Sequence, residues 1–288
     1  MESKEVQEVR NVAPAFLAPG GVAKAMIGVG KAKTSLSVIQ MIILGILAGA
    51  FIGFGSELAT MVSYDMSKFL GVGFTKFIFG SVFSVGLILV VIAGAELFTG
   101  NSLIFVSVLS GDVKFSKLLN NWFWVYLANF AGSLILVWIM YASGLWKTGN
   151  LGVGVKALAI ANGKVNLSWG SAFARAIGCN WLVCLAVWLA VASKDVVGKI
   201  FAIYFPIMAF VTSGFEHCVA NMYFVPMGLL LKGNVDVVAA AGLTGKLANL
   251  TWGGFIANNL IPVTLGNIVG GAFFVSTLYW AVYLKGKK

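Results

Sequence analysis

The sequence predicts an all-α membrane protein whose six transmembrane helices form two inverted repeats of three helices. Of the 288 residues, 59% are hydrophobic and only 10% are charged, which lies far outside the range of soluble domains. Apolar runs of 18 or more residues recur along the whole chain, and each is long enough to cross a lipid bilayer. Two of these runs carry a matched polar interruption, and a second similarity extends the match to both halves of the chain.

The matched interruptions are Gly94–Asn101 and Gly214–Asn221, which share the pattern Gly-x-Glu-x-x-x-(Gly/Ala)-Asn. The first lies inside the apolar run 77–110, which as one helix would be about 51 Å long, against about 30 Å for the hydrocarbon core. We therefore expect each run to consist of two half-helices joined by irregular backbone. A membrane tolerates such backbone only where it is buried in protein or lines a cavity.

The second similarity relates residues 120–132 to residues 258–270, where six of thirteen positions are identical. Each half then has three crossings with the broken one second. Because three is odd, the halves must have opposite orientations in the membrane. We expect a single transmembrane domain over residues 1–288, with an N-terminal segment 1–35, repeat one at about 36–145 and repeat two at about 170–285. The crossings are expected near residues 36–56, 77–110, 121–141, 174–193, 200–231 and 253–284.

Charge indicates orientation and argues against a nucleic-acid partner. The formal net charge is +10, but the lysines are spread over loops and termini and form no basic stripe interleaved with aromatics. With both termini on one side, that side carries twelve Lys and Arg residues and the other carries eight. The more positive side is expected to be cytoplasmic. We therefore expect a multi-pass protein of the cell membrane with both termini in the cytoplasm.

The sequence gives no indication of an enzyme, a cofactor or a metal site. Cys179, Cys184 and Cys218 fall in predicted spans and have the character of small core residues. No His/Cys/Asp cluster has the spacing of metal ligands, and one histidine cannot assemble a di-metal or haem-type site. No phosphate-binding loop of the Gly-Lys-Ser/Thr type is present.

Three ionisable residues within the apolar runs, Glu96, Glu216 and His217, are candidates for function because burying a charge is expensive. The glutamates occupy symmetric positions, so we expect each to be a scaffold that accepts hydrogen bonds from backbone amides freed at its helix break. The same bonding is expected of the asparagines Asn101, Asn129, Asn221 and Asn267.

His217 has no counterpart in the first repeat, where Leu97 takes its place. This asymmetry favours function over structure. A neutral imidazole can donate a hydrogen bond to an anion, and a charged one can attract or protonate it. Thr99, in the opposed interruption, offers a hydroxyl to the same point. The aromatics Phe83, Phe98 and Phe210 are candidates for apolar constrictions, although packing is their commoner role.

The segments 94–99, 179–186, 214–222 and 259–267 resemble those of the formate/nitrite transporter family. The resemblance covers nearly the whole chain. It implies a homopentamer with an aquaporin-like fold, in which each protomer has its own pore. It also implies the passage of small monovalent anions: formate and nitrite in bacterial members, hydrosulfide or lactate and acetate in others.

The resemblance assigns substrate-pore positions to His217, Thr99 and Asn267, and it makes Lys164 the anion-attracting lysine of the outer vestibule. It also implies two constrictions. Phe83 and Leu87 match a cytoplasmic one, and Val183 and Phe210 match an outer one.

We expect transport of a weak-acid anion that is proton-coupled or pH-gated through His217. A bare anion cannot cheaply enter an apolar constriction, so protonation by water or via the imidazole would let it cross as the neutral acid. Segments resembling formate channels and segments resembling nitrite channels are mixed, which leaves the substrate open.

The first alternative function is a neutral-solute channel, which would normally show paired Asn-Pro-Ala motifs, and this sequence has none. The second alternative is a membrane-embedded enzyme or a sensor, which would need a cofactor cluster or a soluble domain, and the sequence shows neither.

Overall fold

The computed structural model describes residues 16–286; residues 1–15 of the predicted N-terminal segment lie outside the described part. Eleven helical elements carry the architecture, and we number them in chain order. They are α1 Pro19–Ser35, α2 Val38–Ser63, α3 Ser67–Gly94, α4 Gly100–Leu109, α5 Phe115–Ala142, α6 Gly152–Val165, α7 Trp169–Ala192, α8 Val196–Ser213, α9 Cys218–Leu231, α10 Val235–Ala240 and α11 Trp252–Tyr283.

Six of these helices (α2, α3, α5, α7, α8 and α11) are long and apolar enough to cross a membrane. The half-helices α4 and α9 follow α3 and α8 and complete the two broken crossings. The predicted all-α membrane fold and its two breaks are therefore confirmed. Each break begins at a glycine with positive φ, Gly94 at +93° and Gly214 at +79°. Glycine enters this left-handed region without the clash that a Cβ would cause.

The helix α2 runs seven residues beyond the predicted end at Ser56. Polar residues in its last turns do not end it, because their hydroxyls are satisfied inside the helix. Ser56, Thr60 and Ser63 each donate to the carbonyl four residues earlier, at 2.7–2.9 Å. Such local bonding lets a helix carry hydroxyl side chains through a membrane.

The long helices pack one on the next in the order α5, α2, α3, α8, α7 and α11. Side chains of α11 and α5 also meet, through a hydrogen bond between Tyr126 and Thr264 at 2.8 Å and through the rings of Phe130 and Phe255.

The tightest contacts occur at glycines. A Cβ at Gly49 of α2 would lie 2.0 Å from the carbonyl oxygen of Asn129 on α5, and one at Gly270 of α11 would lie 2.3 Å from the carbonyl oxygen of Ile177 on α7. Small residues let membrane helices approach this closely. The contact of Gly270 has its counterpart in repeat one, where a Cβ at Gly132 of α5 would lie 1.9 Å from the carbonyl oxygen of Ile46 on α2.

The helices α1 and α6 are also equivalent. The helix α1 packs on α4 and precedes the first crossing, while α6 packs on α9 and precedes the fourth. Both helices lie outside the six predicted crossings. A buried stripe that includes Val153, Ala157 and Ala161 holds α6 against its neighbours.

Candidate functional site

The two breaks meet at one hydrogen bond in the middle of the protein. The imidazole Nε2 of His217 lies 2.9 Å from the hydroxyl oxygen of Thr99, and both residues are buried. The other ring nitrogen, Nδ1, accepts the backbone N–H of Ala220 at 3.0 Å and so caps the N-terminus of α9. The sequence predicted that His217 and Thr99 face the same point, and in the structure the two side chains are in contact.

These contacts select one tautomer of His217. Because Nδ1 accepts a hydrogen bond, it carries no proton, and the proton of the neutral ring is on Nε2. The Nε2–H then donates to the oxygen of Thr99. This bond does not use the hydroxyl hydrogen of Thr99.

A charged cluster lies at the first break. Lys33 at the end of α1 contacts Glu96, with its Nζ 2.5 Å from Oε1. The second carboxylate oxygen accepts the side-chain amide of Asn101 at 2.7 Å, and that amide also donates to Asn121 at 2.8 Å. Asn121 in turn donates to the backbone carbonyl of Lys33 at 3.3 Å.

The second break repeats this cluster group by group. The Nζ of Lys164 at the end of α6 lies 3.0 and 3.1 Å from the two carboxylate oxygens of Glu216. Asn221 donates to Glu216 and to Asn259 at 2.7 Å each, and Asn259 donates to the carbonyl of Lys164 at 3.1 Å. Each cluster therefore buries a paired charge, since an unpaired carboxylate could not persist here.

The clusters correct one expectation and add a residue. The glutamates were expected to accept backbone amides, but their carboxylates bind a lysine and an asparagine side chain. Lys33 was not among the predicted site residues. Its position directly before the first crossing, like that of Lys164 before the fourth, was the signal that could have identified it.

Asn267 lies behind the second break and not in the pore position that the resemblance implied. It is fully buried, and its side-chain oxygen accepts the N–H of Cys218 at 2.9 Å. Its amide donates to the carbonyls of Ala176 and Glu216 at 2.8 and 3.0 Å. Asn129 makes the matching bonds at the first break. Both asparagines hold irregular backbone in place, as the sequence indicated for this group.

Asn180 is a further buried residue that sequence reasoning missed. Its side-chain amide lies 3.2 Å from the carbonyl of Thr99 and 2.6 Å from the carbonyl of Asn267. It therefore connects the first break to α11 of the other repeat. Its place in a predicted span gave no signal that distinguished it from other polar core residues.

Three cavities follow one another past the His217–Thr99 pair. The Lys33 vestibule, of about 540 Å³, is lined by Lys33, Glu96 and Leu87 among others. The Lys164 vestibule, of about 150 Å³, includes Lys164 and His217. A central void of about 10 Å³ lies between them and shares lining residues with both. That space is about the size of one water molecule, so the path is closed to any larger solute in this conformation.

The four predicted constriction residues Phe83, Leu87, Val183 and Phe210 all line the central void. The rings of Phe83 and Phe210 meet edge to face at 5.9 Å, so both lie on the Lys164 side. Leu87 and Leu97 lie on the Lys33 side, and Val183 lines the central void. The pairing of Phe83 with Leu87 and of Val183 with Phe210 therefore remains a prediction. One helical turn separates Phe83 from Leu87, which is enough to place them on different sides of the narrowest point.

Phe98 does not line any of the three cavities. Its ring packs on Tyr126 and Trp122, at centroid distances of 4.8 and 5.8 Å. The neighbouring residue Leu97 lines the pathway instead, opposite His217. The irregular backbone of the break turns alternate side chains to opposite sides, and the choice of Phe98 was therefore wrong.

Comparison with known proteins identifies the family. The family model described as formate/nitrite transporter matches residues 20–281. The chain belongs to the formate/nitrite transporter family. A probable formate transporter of Methanothermobacter thermautotrophicus is 46% identical in an alignment over 285 residues that covers 94% of this chain and 98% of the relative. The formate channel FocA of Escherichia coli strain K12 is 36% identical over 273 residues, 94% of this chain and 95% of FocA.

Solved structures agree with this assignment. A structure described as a pentameric formate channel with formate bound has 40% sequence identity and a TM-score of 0.77, covering 86% of this chain and 98% of that chain. One described as an FNT family ion channel has 27% identity and a TM-score of 0.76, covering 90% and 98%. The chain is thus a multi-pass membrane transport protein of the formate/nitrite transporter family, and the predicted resemblance is confirmed.

Proposed function

We propose that the protein is a channel for the anions of small weak acids, with formate as its main substrate. We further propose that it forms a homopentamer in the cell membrane, with both termini in the cytoplasm. The single observation that carries the substrate class is a pathway with a buried Lys–Glu pair on each side of an apolar void, and this void is lined by His217, which is hydrogen-bonded to Thr99. The descriptions of similar proteins as a formate channel and as a pentamer support the finer statements.

The lysines bring the anion to the pathway. Lys33 and Lys164 each line a vestibule and present an ammonium group beside the narrow region. A fixed positive charge raises the local concentration of anions. Glu96 and Glu216 offset much of that charge at contact distance. This pairing weakens the attraction, which allows the anion to leave again and supports rapid passage.

The central void favours the neutral acid. It is walled by Leu87, Leu97 and Val183, and an anion that loses its water there gains no ionic partner. Low polarity favours the protonated form of a weak acid. The proton comes from water in the vestibule, because the Nδ1 of His217 is occupied by the N–H of Ala220 and its Nε2–H is a donor to Thr99.

His217 and Thr99 hold the substrate during the crossing. In this conformation the Nε2–H of His217 donates to the hydroxyl oxygen of Thr99 at 2.9 Å. A formate that displaces this bond can accept from both groups, with one oxygen to each. They replace part of the hydration that the substrate leaves behind. Phe83 and Phe210 on one side, with Leu87 and Leu97 on the other, form the constrictions that exclude bulk water.

Substrate size separates the candidate anions. A central void of about 10 Å³ must widen for any of them, and widening costs least for formate, nitrite and hydrosulfide. Lactate and acetate require more displacement of packed side chains. We therefore place formate and nitrite ahead of lactate and acetate. Nitrite is the second candidate, because the 179–181 segment and Glu96 resemble nitrite-channel members.

Parallel flux measurements test this proposal. Purified protein in proteoliposomes is given labelled formate, nitrite, hydrosulfide, acetate or lactate at equal concentrations, with protein-free vesicles as the control. We expect formate to be fastest and lactate to be slowest, by about tenfold or more. Equal rates for lactate and formate would contradict the size argument, and no protein-dependent formate flux would contradict the function.

A further inference from the structure

Lys156 is a charged residue that the pathway described so far does not use. It lies in the middle of α6, half-buried, and has no ion pair or hydrogen bond within residues 16–286. Burial lowers the pKa of its ammonium group below that of a free lysine. The ammonium group has therefore lost part of its hydration, and no carboxylate of the described residues takes the place of the lost water.

The helix places Lys156 in line with the Lys164 vestibule. Residues 156, 160 and 164 are spaced by four and lie along one side of α6. Ile160 and Lys164 both line the vestibule. At the other end of this line, Gly152 contacts the ring of Tyr64 at the end of α2, where an added Cβ would meet ring carbons at 2.6 Å. Lys156 therefore lies between the vestibule wall and the end of α2, about 12 Å along the helix from Lys164.

We propose that Lys156 is an outer anion-binding position, which holds a small carboxylate or similar monovalent anion before it reaches Lys164. This inference rests on the proposed function. The two lysines differ in one respect: Glu216 neutralises much of the charge of Lys164, whereas the charge of Lys156 is not offset by an ion pair within the described residues. An unpaired ammonium group has the longer-ranged field. Lys156 thus collects the anion, and Lys164 passes it to the narrow region.

The two entrances of the pathway then differ. Lys33 is the counterpart of Lys164, but the residue eight positions before Lys33 is Ala25. The corresponding line on α1 therefore has no second lysine. An outer lysine therefore collects the anion only on the Lys164 side, and removal of Lys156 should affect entry from that side.

The first test is the substitution Lys156→Gln, with formate uptake into proteoliposomes measured over a range of concentrations at low ionic strength. We expect the half-saturating formate concentration for entry from the Lys164 side to rise about threefold, with the maximal rate unchanged. The difference should shrink in 0.5 M salt, because exposed charges are screened. Lys156→Arg keeps the charge and should retain the wild-type value.

The matched control is Lys246→Gln. Lys246 is an exposed lysine in the segment between α9 and α11, and α10 in that segment contacts α6, so it lies at the same end of the protein. Its loss changes the net charge equally but leaves the line on α6 intact, and wild-type kinetics are expected. A similar shift in both variants would show an effect of overall charge and would overturn the inference, as would no shift in Lys156→Gln.

A second test compares two reagents on one purified variant, so differences in folded yield between variants do not affect it. Lys156→Cys is treated with membrane-impermeant thiosulfonates, and the native Cys179, Cys184 and Cys218 are buried. A positively charged reagent should restore the wild-type half-saturation, and a negatively charged one should raise it further. Equal effects of both reagents would overturn the inference. Absence of formate uptake by the wild-type protein would instead overturn the proposed function.

Discussion

At the scale of single residues, the hydrogen bonds of His217 decide what its imidazole can do. Nδ1 is occupied as the cap of α9, and Nε2–H faces the hydroxyl of Thr99. Protonation of Nδ1 would lose the bond to Ala220 and place a positive charge at the positive end of a helix. The ring is therefore suited to donating a hydrogen bond to the substrate, while vestibule water supplies the proton.

The substitution His217→Asn tests that role. Asparagine is a favourable N-cap residue, so the variant should fold, but it loses the donor that faces Thr99. We expect formate flux to fall roughly two- to tenfold, the effect of one hydrogen bond, with a changed pH dependence or selectivity. Flux is measured in proteoliposomes at several pH values. Thr99→Ser, which keeps the hydroxyl, should remain close to wild type.

Transport by His217→Asn that matches the wild-type protein at every pH would contradict the role assigned to His217. Loss of folded protein in that variant alone would indicate that capping α9 is its main contribution. Comparison of the elution profiles of the two variants in detergent separates these outcomes.

Single residues also show where sequence reasoning succeeds and where it does not. The asymmetry between His217 and Leu97 was visible because the repeat aligns them, and both line the central void. The direction of Phe98 and the burial of Asn267 were not predictable. Rotation about a helix axis and the course of irregular backbone depend on packing against helices that are distant in sequence.

At the scale of secondary-structure elements, the break positions followed from a local pattern. A glycine with positive φ begins each break, and the asparagine seven residues later is hydrogen-bonded to the glutamate. The contacts of α6 were not predictable in the same way. Its lysine and its asparagine partner are 95 residues apart in the chain, and only the folded repeat brings them together.

The close approach of α2 and α5 gives a stability prediction. In Gly49→Ala, the added Cβ would lie 2.0 Å from the backbone oxygen of Asn129, and backbone cannot move aside cheaply. We expect a loss of about 1–3 kcal/mol, as for other overpacked sites, seen as a lower thermal unfolding temperature in detergent. Gly73→Ala in α3 is the control, because nothing lies within 4 Å of its added Cβ. Equal unfolding temperatures of the two variants would contradict the packing account.

At the scale of the whole molecule, pseudo-symmetry and its exceptions have separate roles. The matched parts are the two breaks, the two Lys–Glu–Asn clusters and the glycine contacts, and they build a closed scaffold with an entrance on each side. The unmatched parts are His217 with Thr99 at the centre and Lys156 on one side. Because both entrances have a lysine, we infer that the anion can enter from either side.

The central claim for the whole molecule is that the substrate crosses as the neutral acid. It follows from an apolar central void with a Lys–Glu pair in the vestibule on either side. Such transport moves one proton with each formate, so its rate should depend on the proton concentration on the side of entry.

The most direct test is uptake of labelled formate into proteoliposomes over external pH 5 to 8, with and without a protonophore. The neutral-acid account predicts that uptake driven by an inward proton gradient rises as external pH falls, and that the protonophore lowers its final level. Uptake that is indifferent to both external pH and the protonophore would contradict the account.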